Sequence, residues 1–99
     1  MEPLSNFVED GTFTYTRVKR EGMHAIYKQK HKASGALRYE VIRIQTYPDH
    51  TWPNGHTTPA HEAYPSAKAW GRDGWTTYTL KEAEVLLAQL PGVAPEEPA

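Results

Sequence analysis

The chain has 99 residues, of which 38% are apolar, 11% aromatic and 23% charged, with a formal charge of −1. That length suits one domain and leaves no room for two, and the composition argues against global disorder. The near-neutral total excludes a whole-protein attraction to nucleic acid, and the absence of cysteine excludes disulfides, thiolate metal sites and cysteine nucleophiles.

Residues 1–11 are polar and acidic and read as a flexible arm, with Leu4, Phe7 and Val8 available to tack it onto the body. Residues 12–20, TFTYTRVKR, alternate Phe13 and Tyr15 against threonines, the pattern of a strand. Glu21-Gly22 marks a turn. Residues 23–30 form the returning strand, with Met23, Ala25 and Tyr27 on one side. A second turn, HKASG, leads into 37–47, LRYEVIRIQTY. Apolar groups on both faces of that strand (Leu37, Tyr39 and Val41 against Ile42 and Ile44) predict a central or bulged position. The short connections predict antiparallel pairing, because parallel neighbours need a long crossover.

Residues 48–63, PDHTWPNGHTTPAHEA, break the pattern with three prolines, an Asn-Gly pair, three histidines and Trp52. No period runs through them, which predicts a long loop, and such a loop in a compact domain is usually functional, mobile or partly extended. Ser66 is placed to cap a single turn over 67–70, and Gly71 supplies a left-handed stop. Asp73-Gly74 marks a tight turn before the strand-like Trp75-Thr76-Thr77-Tyr78. Thr79 and Glu82 then form a capping box ahead of a helix. Leu80, Ala83, Leu87 and Leu90 share one helical face, Val85 and Leu86 widen it, and Pro91-Gly92 stops it. Residues 92–99 are expected to be disordered.

These elements predict an α+β domain over residues 12–91. Its antiparallel sheet has three or four strands, in the order β-β-β-loop-β-α, with the C-terminal helix packed on one face. Trp70 and Trp75 could form a stacking platform for bases or sugars. Their size favours a place in the core, because each indole can hide a large share of what so small a domain buries.

The run Tyr64-Pro65-Ser66, Trp70-Gly71, Gly74-Trp75-Thr76 and Glu82-Ala83 resembles a recurrent pattern in small proteins of tailed phages and prophages. There too a strand like Tyr39-Glu40-Val41-Ile42 precedes it, but the long insertion before Tyr64 departs from the pattern. The resemblance covers roughly residues 39–90 and implies an origin and a fold, with no activity to carry over. A second likeness is to the arm-binding domains of phage-type integrases, which end on a Thr-x-x-Glu-Ala helix after three strands.

Charge is unevenly placed. Arg17, Lys19, Arg20, Lys28, Lys30, Lys32, Arg38 and Arg43 are eight of the eleven basic residues, opposed in that segment only by Glu21 and Glu40. With Tyr15 and Tyr27 interleaved, a basic hairpin could follow a phosphate backbone. The plainer reading is a solvated sheet face whose lysines discourage edge-to-edge pairing. In the loop, Trp52, His56 and His61 offer an alternative surface for a host protein. His50, His56 and His61 are also of a type that binds transition metals, but the loop fixes none of them visibly. His24 and His31 read as surface residues.

Catalysis finds little support. Ser5, Ser34 and Ser66 lie outside any nucleophile elbow, and Gly71-Arg72-Asp73-Gly74 lacks the spacing and lysine of a phosphate loop. No cofactor is implied. No stretch is apolar enough to span a bilayer, and the acidic start lacks the regions of a signal peptide, so a cytoplasmic location is expected. The expected function is therefore a small non-catalytic binding module, with nucleic acid on the basic hairpin or a host protein on the loop. A metal-dependent hydrolase is the third reading.

Overall fold

A computed structural model describes residues 1–90. The expected helix stop at Pro91-Gly92 and the expected disordered tail lie outside the described residues.

The main sheet has five antiparallel strands: β1 (Phe7–Glu9), β2 (Phe13–Glu21), β3 (His24–His31), β4 (Leu37–Arg43) and β9 (Gly74–Thr77), in the order β1-β2-β3-β4-β9. The predicted α+β fold is borne out, and the strand the sequence reading left out is β1. It comes from the acidic arm, where Val8 pairs with Tyr15 and only three residues join the edge. Leu4, just before it, is buried in the core, so the arm covers part of the sheet.

Both sheet faces are covered, which explains why β4 is apolar on both sides. Helix α1 (Leu80–Gln89) lies across one face, burying Ala83 and Leu87 against Ile26 and Val41, with Tyr39, Trp75, Leu80, Leu86 and Leu90 around them. Val85 stays exposed, so it does not widen the packed face as expected. On the opposite face Ala25, Tyr27, Ile42 and Ile44 pack with Leu4, and Tyr15, Tyr64 and Trp70 close over them. The two tryptophans thus serve opposite half-cores.

The helix starts where the sequence places it. Thr79 Oγ1 accepts the Glu82 amide at 3.1 Å, and Glu82 Oε1 accepts the Tyr78 and Thr79 amides at 3.0 and 3.3 Å. The shorter turn before it differs from expectation. Residues Ala67–Ala69 form a 3-10 turn, and the Ser66 side chain makes no capping bond. The Ser66 carbonyl takes the Ala69 amide instead, at 3.0 Å.

The predicted loop is a tapering antiparallel ribbon. The chain leaves the main sheet at Ile44, whose amide bonds the Met23 carbonyl, and β5 (Gln45–Tyr47) pairs with β8 (His61–Ala63). Beyond them β6 (His50–Thr51) pairs with β7 (Thr57–Thr58). Asn54-Gly55 turns the tip, with Gly55 at φ 88°, a conformation in which a Cβ would be strained. Polar and backbone bonds hold this ribbon, which is why no apolar period announced it. They include Trp52 N to His56 O at 2.7 Å, Ala60 N to Asp49 Oδ1 at 2.6 Å and Trp52 Nε1 to Thr58 Oγ1 at 3.0 Å.

Candidate functional site

The basic hairpin does not present its cations together. Side chains alternate across a strand, so residues paired in register share a face. Arg17 and Arg20 stand opposite Tyr27 and Ala25, and Arg38 opposite Gln29, on the face away from the helix. Lys19 and Arg43 stand opposite Ile26 and His24, and Lys28 and Lys30 opposite Tyr39 and Leu37, on the helix side. A bulge at Val18, between Arg17 and Lys19, moves successive cations onto different faces.

Several of these cations are also engaged within the protein. Lys19 meets Glu21 at 3.1 Å, Lys32 meets Glu9 at 2.8 Å and Arg43 meets Asp73 at 3.4 Å. Arg38 lies 4.6 Å from the Tyr78 ring centroid. Ion pairs whose cation stays this exposed are individually weak. Arg20 is different. Its guanidinium binds Glu62 in bidentate fashion at 2.7 and 2.8 Å, and Glu62 Oε1 also accepts the Leu4 amide at 2.8 Å. These donors, Arg20 first, hold the Glu62 carboxyl down to about 2. Among the described residues Arg17, Lys28 and Lys30 form no ion pair, and Arg17 lies across the sheet from the two lysines.

The ribbon gathers what the sequence scattered. Tyr47 and His61 are cross-strand partners and stack with ring centroids 5.4 Å apart, while His50 meets Trp52 edge-on at 4.2 Å. With Pro48, Asp49 and Thr58 they line a shallow groove of about 390 Å³. Trp52 is 49% exposed and Tyr47 50%, although each ring has a neighbour fixing it. His56 sits apart at the tip. Among the described residues no three His, Asp or Glu side chains are arranged to hold a metal ion, so His50, His56 and His61 do not form one centre. The ribbon is tied to the body through the Arg20–Glu62 pair and through Glu2. The Glu2 amide bonds the Ala60 carbonyl at 3.1 Å, and its carbonyl accepts the Glu62 amide at 2.8 Å.

A second concavity was missed by sequence reasoning. Tyr15, Glu40, Tyr64 and Trp70, with Val8, Asp10, Pro65 and Ala67, line a cleft of about 490 Å³ on the face away from the helix. Glu40 is buried on its floor, accepting the Tyr64 hydroxyl at 2.5 Å and the Gln29 amide at 3.2 Å. Burial pushes the Glu40 carboxyl above its ordinary range, against the opposing pull of the Tyr64 bond. Burial, reinforced by the Glu40 charge, pushes the Tyr64 hydroxyl far above that of a free tyrosine. The available signal was a glutamate in the middle of an apolar strand, which alternation turns inward beside Ile42.

His24 was read as a surface residue and is buried, with neither ring nitrogen hydrogen-bonded. It stands at the strand end opposite Arg43, on the same sheet face as Ile26, and alternation alone did not reveal its burial.

Among the described residues no helix is long and apolar enough to cross a membrane. No protein-family model, curated protein or solved structure matches this chain.

Proposed function

We propose that this protein is a non-catalytic binding module, of the phage or prophage type its sequence resembles, and that the ribbon over residues 45–63 takes a protein partner. One observation carries the reading. Tyr47, His50, Trp52 and His61 stand together on a β-ribbon, with Trp52 and Tyr47 half exposed and already held in place by ring contacts. Fixed aromatic side chains suit a protein interface, because burying them yields a large apolar area at little cost in side-chain freedom. The basic hairpin supports nucleic-acid binding less well, since a phosphate track needs its cations on one surface.

The test is a nuclease-treated pull-down from the native host with three baits: wild type, Trp52→Ala and the double variant Lys28→Ala/Lys30→Ala. A partner kept by the wild type and the lysine variant but lost by Trp52→Ala supports the ribbon. Binding of purified wild type to a random duplex, with a salt slope flattened by up to about two units in the lysine variant, would favour the hairpin instead.

A further inference from the structure

We propose that the Tyr15–Tyr64–Trp70 cleft binds an alkylammonium cation, with the ammonium head on the Glu40 carboxylate and the alkyl part against the aromatic side chains that line the cleft.

The carboxylate is the starting point. Glu40 is 7% exposed, yet no Lys or Arg among the described residues lies within ion-pair distance of it. A buried carboxylate is costly unless paired or hydrogen-bonded. Its two bonds, from Tyr64 and Gln29, use about half of the roughly four acceptor sites a carboxylate has. The remaining capacity faces a cleft whose lining includes no cation.

The walls suit the same ligand. The Tyr64 ring lies 5.7 Å from that of Tyr15 and 6.4 Å from that of Trp70, the latter pair within 19° of parallel. Ring faces attract cations through their quadrupoles, most strongly where water is excluded. Asp10 adds negative charge at the rim; its Oδ1 is held by the Thr12 and Phe13 amides at 2.8 Å each. Val8 and Pro65 supply apolar wall for the alkyl chain. A neutral or anionic ligand would leave the Glu40 charge unmatched. The cleft shares no lining residue with the ribbon groove, so either site can fail without the other.

The experiment is a titration of the full chain with n-butylammonium, followed by two-dimensional NMR at constant ionic strength. The neutral isostere n-butanol is the control, and N-acetyl-lysine-N-methylamide represents a lysine carried on a peptide. The expected result is saturable shifts at Tyr15, Tyr64 and Trp70 with butylammonium and none with butanol. Glu40→Gln, which keeps an oxygen for the Tyr64 hydroxyl, should weaken binding about tenfold or more. Tyr15→Leu at the cleft wall should weaken it as well, a second variant should the first not fold. Tighter binding of the lysine derivative identifies a side chain of a protein partner, and tighter binding of the free amine identifies a small-molecule ligand. No saturable shift, equal binding of butanol, or unchanged affinity in a folded Glu40→Gln would overturn the proposal.

Discussion

The indole of Trp70 occupies the space that a side chain at Gly74 would need. A Cβ built on Gly74 would lie 2.4 Å from Trp70 Cζ3 and 2.6 Å from Cε3. The same indole donates its Nε1–H to Thr76 Oγ1 at 3.0 Å, and the Gly71 amide bonds the Gly74 carbonyl at 2.7 Å. The Trp-Gly…Gly-Trp-Thr run is therefore one structural unit, in which the turn folds Trp70 back onto the start of β9.

Gly74→Ala should destabilise the domain by roughly 1–3 kcal/mol, the usual cost of forcing extra volume into a packed site. Trp70 cannot swing away cheaply, because it is tied to Thr76 and packs beside Tyr64. Gly11→Ala, which meets nothing within 4 Å, is the control and should match wild type in urea denaturation.

Thr79→Ala should cost about 0.5–2 kcal/mol through the lost helix cap. Glu82→Ala removes the bonds to the Tyr78 and Thr79 amides and should cost a similar or smaller amount. Chemical denaturation of both variants checks this, and a Thr79→Ala midpoint equal to wild type would contradict the cap.

The Arg20–Glu62 pair makes the ribbon's attachment acid-sensitive. Glu62 titrates at about 2 in the folded protein and at 4.5 when unperturbed. A carboxylate depressed in this way stabilises the fold fully above its unfolded value, and that contribution fades as pH falls toward the folded one. Wild type should therefore exceed Glu62→Gln in stability near neutrality, and the gap should close between pH 4.5 and about 2. A gap that persists through this window would show that the pair does not anchor the ribbon.

His24 works at milder pH. Burial, aided by the Arg43 charge, holds its imidazole below the ordinary value of 6.5. The unfolded chain then binds the extra proton first, so stability should fall as pH drops below 6.5. His24→Leu removes two unsatisfied buried nitrogens, and it should gain ~1 kcal/mol and lose this pH dependence. Parallel pH profiles in urea that differ only by an offset would contradict the assignment.

The elements with a local cause were legible in the sequence. Alternation located β2, β3 and β4, the Thr79–Glu82 box located α1, and Gly71 located the left-handed stop, observed at φ 92°. What escaped depends on distant partners. The β1 strand has only three residues and gains its meaning from Val8 meeting Tyr15. The ribbon is held by its backbone ladder and by polar bonds such as that from Ala60 to Asp49, eleven residues away, which leave no hydrophobic period. The Glu40 cleft needs Tyr64 to arrive from twenty-four residues away. The charge cluster was visible, but the Val18 bulge that splits it between faces was not.

The most direct test of the ribbon as a protein-binding surface is equilibrium affinity for the purified partner, measured for wild type, Trp52→Ala and Lys28→Ala/Lys30→Ala. Trp52 is half exposed, so its removal should leave the fold intact by circular dichroism. Truncating a central aromatic anchor typically costs ~2 kcal/mol or more, about thirtyfold in Kd. The account predicts that loss for Trp52→Ala and a near-unchanged Kd for the lysine variant. An unchanged Kd for Trp52→Ala, with the loss falling on the lysine variant, would contradict it.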